Sequence, residues 1–165
     1  MTTRFEEPVH FANSVTFGKD VTLPEGAIKD SMVSAGASIQ ATKLNQRNRG
    51  PFYQGAETDT VVDAKQVVYV VTATGKLREF KVGVVTACTG NATITVVLQK
   101  NGVNVANSQV VLDNTGVGGT LVTAPISVTD VVAGDRLSIS VTVSAGTGVL
   151  GKGLFGFVCL DEAAQ

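Results

Sequence analysis

ATITVVLQKNGVNVANSQVVLD, Ala92–Asp113, is the stretch on which the fold turns. Its first half alternates, so that Ile94, Val96 and Leu98 fall on one face of a strand. Asn101-Gly102 follows at once. Both central residues of a type I′ turn need a positive φ, which Asn and Gly tolerate best, so the pair predicts a hairpin. Val103–Asp113 is then the return strand, broken near Asn107.

The same grammar extends outward. Glu79–Cys88 (EFKVGVVTAC) places Phe80, Val82, Val84 and Cys88 on one face. Arg136–Ser144 (RLSISVTVS) alternates throughout, with Leu137, Ile139, Val141 and Val143 inward and Ser138, Ser140 and Thr142 outward. Gly119–Val128 carries Pro125, which suits an edge or a bend because proline donates no ladder hydrogen bond. Gln66–Thr72 (QVVYVVT) and Gly153–Leu160 (GLFGFVCL) are apolar on both faces. Short strands at this spacing, with no helix between them, predict a mainly β chain: an antiparallel β-sandwich, jelly-roll-like, with an extended N-terminal arm. For the two strands apolar on both faces, one face meets the opposite sheet. The other needs a second cover, which we assign to neighbouring subunits.

Composition agrees with that assembly. The chain has 165 residues, enough for one domain and an arm. Charged residues are 16%, against about 25% in ordinary soluble domains. A net charge of −1 gives no bulk attraction to nucleic acid or to an anionic membrane. No run reaches the length of a membrane span, and MTTRFEEPVH has no apolar segment of a secretory signal. Cys88 and Cys159 have no metal-ligand spacing and read as buried thiols, with a disulfide left open.

Composition changes near residue 55, dividing the chain into an arm and connector over 1–55 and a sandwich over 56–165. Phe11–Leu23 holds two short alternating runs, Val15/Phe17 and Val21/Leu23, that suit a small hairpin or extended arm. In Leu23–Leu44 (LPEGAIKDSMVSAGASIQATKL) a GAI unit returns as GASI, and Ser38 would cap a turn or two of helix. Lys43, Arg47 and Arg49 then cluster without an acidic neighbour between residues 31 and 56. Three charges with no interleaved aromatic are too few for a nucleic-acid track. They suit a solvated linker or docking on an acidic protein surface.

Chemistry finds little footing. Gly146–Gly153 (GTGVLGKG) approaches a phosphate-binding loop, but Gly153 replaces the metal-binding hydroxyl and a strand follows where a helix is needed. It reads as a glycine-rich hairpin loop. The single histidine, His10, lies in the arm, so hydrolytic triads have no base in the β region. Glu57, Asp59 and Asp63 lack calcium-loop spacing and read as a solvated acidic loop. Asn91-Ala92-Thr93 matches a glycosylation sequon by chance. No catalytic, cofactor or metal residues are assigned.

Leu23–Leu44 resembles the glycine-alanine connectors of tailed-bacteriophage structural proteins. Leu77–Asp113, Val131–Val141 and Gly153–Glu162 resemble the jelly-roll-like domains of phage capsid decoration (cement) proteins and head fibres. The resemblance covers roughly residues 15–160. It implies a homotrimer on the outside of the virion head, assembled in the host cytoplasm, stabilising the major capsid protein lattice and having no enzymatic activity. The arm would then grip the capsid by strand addition at Val15, Phe17, Val21 and Leu23. Phe5, Phe11 and Phe17 would add anchoring area, while Lys43, Arg47 and Arg49 would meet acidic residues. The rival expectation is a fibre or head-fibre module that recognises a receptor or glycan through loops 114–119 and 146–153. Neither of those loops contains an aromatic residue.

Overall fold

A computed structural model describes residues 45–163. They form ten strands: β1 (Asn45–Gln54), β2 (Ala64–Val70), β3 (Gly75–Thr86), β4 (Thr93–Lys100), β5 (Val103–Asn104), β6 (Val110–Leu112), β7 (Val122–Thr123), β8 (Thr129–Val131), β9 (Arg136–Ser144) and β10 (Lys152–Ala163). No helix occurs among the described residues. Two antiparallel sheets pack as a β-sandwich. Sheet A runs β1-β10-β3-β7, with β8 also on β3; sheet B runs β2-β9-β4-β5, with β6 also on β4.

The predicted inward faces form the core. Phe80, Val82 and Val84 of β3 meet Ile94, Val96 and Leu98 of β4 and Leu137, Ile139 and Val141 of β9, all buried. Phe52 of β1 stacks on Phe80, with ring centroids 6.0 Å apart. Each such side chain contributes roughly 1.5–3 kcal/mol when removed from water, which is why alternation in β3, β4 and β9 dictates their orientation.

The turn also forms as the sequence predicts. Asn101 and Gly102 have φ of 51° and 86°, and the hairpin pairs Gln99 with Asn104 and Lys100 with Val103. The return strand breaks where Asn107 takes φ 58°. Ser108 bridges the gap: its buried hydroxyl donates to the Leu98 carbonyl at 3.0 Å and accepts from the Leu98 amide at 3.2 Å. The chain then resumes as β6.

Three readings change. Residues 45–54, placed in the arm by their polar composition, are β1 and pair with β10 along their whole length. Composition misleads here because an edge strand exposes one face and needs only Gly50 and Phe52 to reach the core. Gly50 must be small: a Cβ there would lie 2.6 Å from the Tyr69 ring. The segment 119–128 yields only the two-residue β7 before Pro125. The loop before β10 is no hairpin, since it crosses from β9 in sheet B to β10 in sheet A. On the second face of β10, Cys159 is fully buried and Phe157 lies half-buried beneath Arg49 and Lys81. Both cysteines are buried and free. The expected elements of residues 1–44, the hairpin and the helical turn from Ser38, lie outside the described residues.

Candidate functional site

The outer face of sheet A gathers five cations and three aromatics, of which Tyr53 is exposed and Phe155 and Phe157 are half-buried. With Gly50 and Phe52 turned inward, alternation sends Arg47, Arg49, Pro51 and Tyr53 of β1 outward. Phe155, Phe157 and Asp161 of β10 share that side, and so do Arg78 and Lys81 of β3. The Arg49 guanidinium carbon lies 5.4 Å from the Phe157 ring centroid, and the Lys81 ammonium lies 5.7 Å from it. Both distances suit cation–π contact. Tyr53 is 72% exposed. Together with Val85, Phe155 and Glu57 it lines a groove of about 600 Å³ at the end of this face.

Asp161 ties three strands together. One carboxylate oxygen accepts from Arg47 Nε at 3.1 Å, and the other accepts from Arg78 Nε at 2.7 Å. These hydrogen bonds and the adjacent positive charges hold the Asp161 carboxyl below its ordinary value and raise Arg47. Lys76 pairs with Asp130 at 2.6 Å and Lys81 with Glu79 at 3.3 Å. Five cations thus surround three carboxylates. Arg49 is the cation of this face with no carboxylate partner among the described residues; its one recorded contact is the Phe157 ring.

Of the residues named from sequence, Phe5, Phe11, Val15, Phe17, Val21, Leu23 and Lys43 lie outside the described residues. Arg47 and Arg49 are brought onto one face. Arg47, however, meets an acidic residue of its own chain, Asp161. The acidic loop is internally engaged at two of its three carboxylates. Asp59 accepts from the Ala56 amide at 2.8 Å, and Asp63 from the Val143 amide at 2.7 Å. The sequon's Asn91 accepts from the Thr147 amide at 2.7 Å, fastening the 145–151 loop. Among the described residues no cluster of three or more His, Cys, Asp or Glu is placed to hold a metal, and no helix is long and apolar enough to cross a membrane.

Sequence reasoning missed a buried carboxylate. Glu162 is 1% exposed. It accepts from Tyr69 Oη at 2.8 Å, the Thr72 amide at 2.9 Å, Thr72 Oγ1 at 3.3 Å, the Ala73 amide at 3.4 Å, and Asn48 Nδ2. Burial pushes the carboxyl up, but the donors of Asn48, Thr72, Tyr69 and Ala73 outweigh it and leave the carboxyl below its ordinary value. Burial and the Glu162 acceptor raise the Tyr69 phenol. The signal was present in phase: Val158, Leu160 and Glu162 share the inward side of β10. The site clips β10 and β1 of sheet A to β2 of sheet B and plays an architectural part.

No family model matches the chain, and no curated protein matches it. Among solved structures, the crystal structure of dimeric latent PorU from Porphyromonas gingivalis aligns over 70% of this chain at 9% identity, with a TM-score of 0.25. This chain spans about 10% of that protein's length. A likeness this distant carries no argument about fold or function.

Proposed function

We propose that the protein is a structural, non-enzymatic virion component: a homotrimeric decoration protein that binds the outside of a phage head and stabilises it. The observation that carries this reading is the outer face of sheet A. Arg49 and Lys81 over Phe157, beside the exposed Tyr53, have the composition of an interface hot spot, which is enriched in arginine and aromatic residues. A net-cationic face of this kind suits an acidic protein surface, and salt would weaken the contact.

The jelly-roll reading rests on strand order. Taking β5/β6 and β7/β8 each as one interrupted strand leaves eight, B to I in chain order. Sheet A then runs B-I-D-G and sheet B runs C-H-E-F. That merged eight-strand order supports a jelly-roll reading, a fold used by viral capsid and lectin domains alike. Fold alone does not assign function, so the test is made on particles. Undecorated heads assembled from the same virus's major capsid protein are mixed with full-length protein and with a variant lacking residues 1–44. Full-length protein should saturate the heads and sediment as a trimer. The truncated variant, which keeps β1 through β10, should remain a folded trimer and fail to bind. Saturation of heads by the truncated protein refutes the arm's role. Failure of the full-length protein to bind refutes the decoration reading.

A further inference from the structure

We infer that the outer face of sheet B carries a binding pocket for an acidic saccharide, a sugar ring bearing a carboxylate. This goes beyond particle decoration and does not rest on it. The pocket, about 300 Å³, is lined by Lys65, Gln66 and Val67 of β2, Arg136 and Ser138 of β9, and Gln99 of β4, and is closed at one end by the Asn101-Gly102 turn. Its volume sits at the lower end of small-ligand sites, the scale of a single ring with its substituents.

Register explains the convergence. Ser138 pairs with Val67 on one side and Gln99 on the other, so these three form one row across the sheet. Lys65 stands opposite Ser140, one outward row away, and Arg136 stands one outward row away in the other direction. Outward positions on a strand repeat every ~7 Å, so two long cationic side chains flank the Ser138 row.

Charge identifies the ligand. None of the ion pairs recorded among the described residues involves Lys65 or Arg136, so neither has a carboxylate within pairing distance there. The nearby Asp135 is already engaged by the Val132 amide, Asn101 and Lys100. The two cations therefore favour an anionic group. Between them lie hydrogen-bonding groups in place of further charge. Ser138 offers a hydroxyl. Gln99 uses its NH₂ on Asn104 at 2.9 Å and retains its carbonyl oxygen as an acceptor. Val67, 52% exposed, presents methyl groups. A carboxylate with vicinal hydroxyls and a C–H face uses all of these. A bare acidic peptide side chain uses only the cations, and with no aromatic lining the pocket gives a nucleobase nothing to stack on.

The test uses full-length protein titrated, by calorimetry and amide chemical shifts, with oligosaccharides ending in N-acetylneuraminic or glucuronic acid. Neutral lactose and inorganic sulfate serve as comparisons. An acidic saccharide should bind at least about tenfold more tightly than lactose or sulfate. Lys65→Gln and Arg136→Gln should each lower that affinity about tenfold, the worth of one charge-assisted hydrogen bond, with the unfolding midpoint unchanged. Ser138→Val should weaken saccharide binding and leave sulfate binding as it was. Absence of acidic-saccharide binding overturns the inference, and so does binding that the three substitutions leave intact. Equal affinity for sulfate and the sugar acids marks a bare anion site and overturns the saccharide assignment.

Discussion

Replacing Glu162 with glutamine should destabilise the sandwich and flatten its response to acid. The substitution keeps the shape of the side chain. One oxygen can still accept from the Thr72 amide, 2.9 Å away in the native chain. The other becomes an NH₂ facing Asn48 Nδ2, Tyr69 Oη and Thr72 Oγ1. Three charge-assisted bonds become neutral ones or must turn round. At about 1 kcal/mol each, the loss is about 2–3 kcal/mol. Glu162→Ala is harsher, because it strands the Thr72 amide and the Tyr69 hydroxyl and opens a cavity, for a loss of about 4–6 kcal/mol. Against a typical total of about 5–15 kcal/mol, that leaves little of the fold.

The pH dependence follows from direction. The Glu162 carboxyl lies below its ordinary value in the folded chain, so the unfolded chain takes up the proton first. The stabilisation is complete above the ordinary glutamate range near ~4.3 and is lost as pH falls through the folded value. Asp161 and Asp135 are depressed too and act in the same sense. Urea unfolding followed by far-UV circular dichroism, at neutral pH and at a series below 5, gives both quantities; the chain has no tryptophan to report by fluorescence. Glu162→Gln should lose stability at neutral pH and less of it on acidification than the native chain. A variant within about 0.5 kcal/mol of native, with an unchanged acid limb, would refute the clip.

Other substitutions probe the turns and the thiols. Asn101→Ala removes bonds to the Arg136 amide at 2.9 Å and to Asp135 at 2.7 Å, and forces alanine to a positive φ. It should cost about 2–4 kcal/mol in thermal or urea unfolding. Gly148→Ala places a Cβ 1.9 Å from the Thr89 carbonyl oxygen and should lower the unfolding midpoint strongly, whereas Gly116→Ala, with its nearest neighbour at 3.6 Å, should change it little. Cys88 and Cys159, both buried and free, should react with a thiol reagent only after denaturant is added. Fast reaction of either in native buffer would contradict the packing. Arg49→Ala with Phe157→Ala should leave the core intact while abolishing capture of heads, measured by co-sedimentation.

Much of the sandwich is legible in the residues because alternation is a local signal. In Thr93–Lys100 and Arg136–Ser144 a shift of one residue would expose every apolar side chain, so the inward set follows from the sequence pattern. Asn101-Gly102 announces its own turn. Asn45–Gln54 announces nothing, since its strand character comes from the ten partners β10 supplies. Two of its inward residues, a glycine beneath Tyr69 and a phenylalanine on Phe80, make sense only against those rings.

The candidate surfaces divide in the same way. The sequence by itself specified a β-rich, charge-poor chain, the faces of its central strands, one hairpin and a pair of buried thiols, because side-chain period and turn chemistry act over a few residues. Tertiary structure alone decided that Arg49 lies over Phe157, that Asp161 joins Arg47 to Arg78, that Glu162 collects donors from Asn48, Tyr69, Thr72 and Ala73, and that Lys65 and Arg136 flank one pocket. In each case groups on different strands are separated by tens of residues in the chain. They meet because strand order and register, set by burial of the core, bring them together.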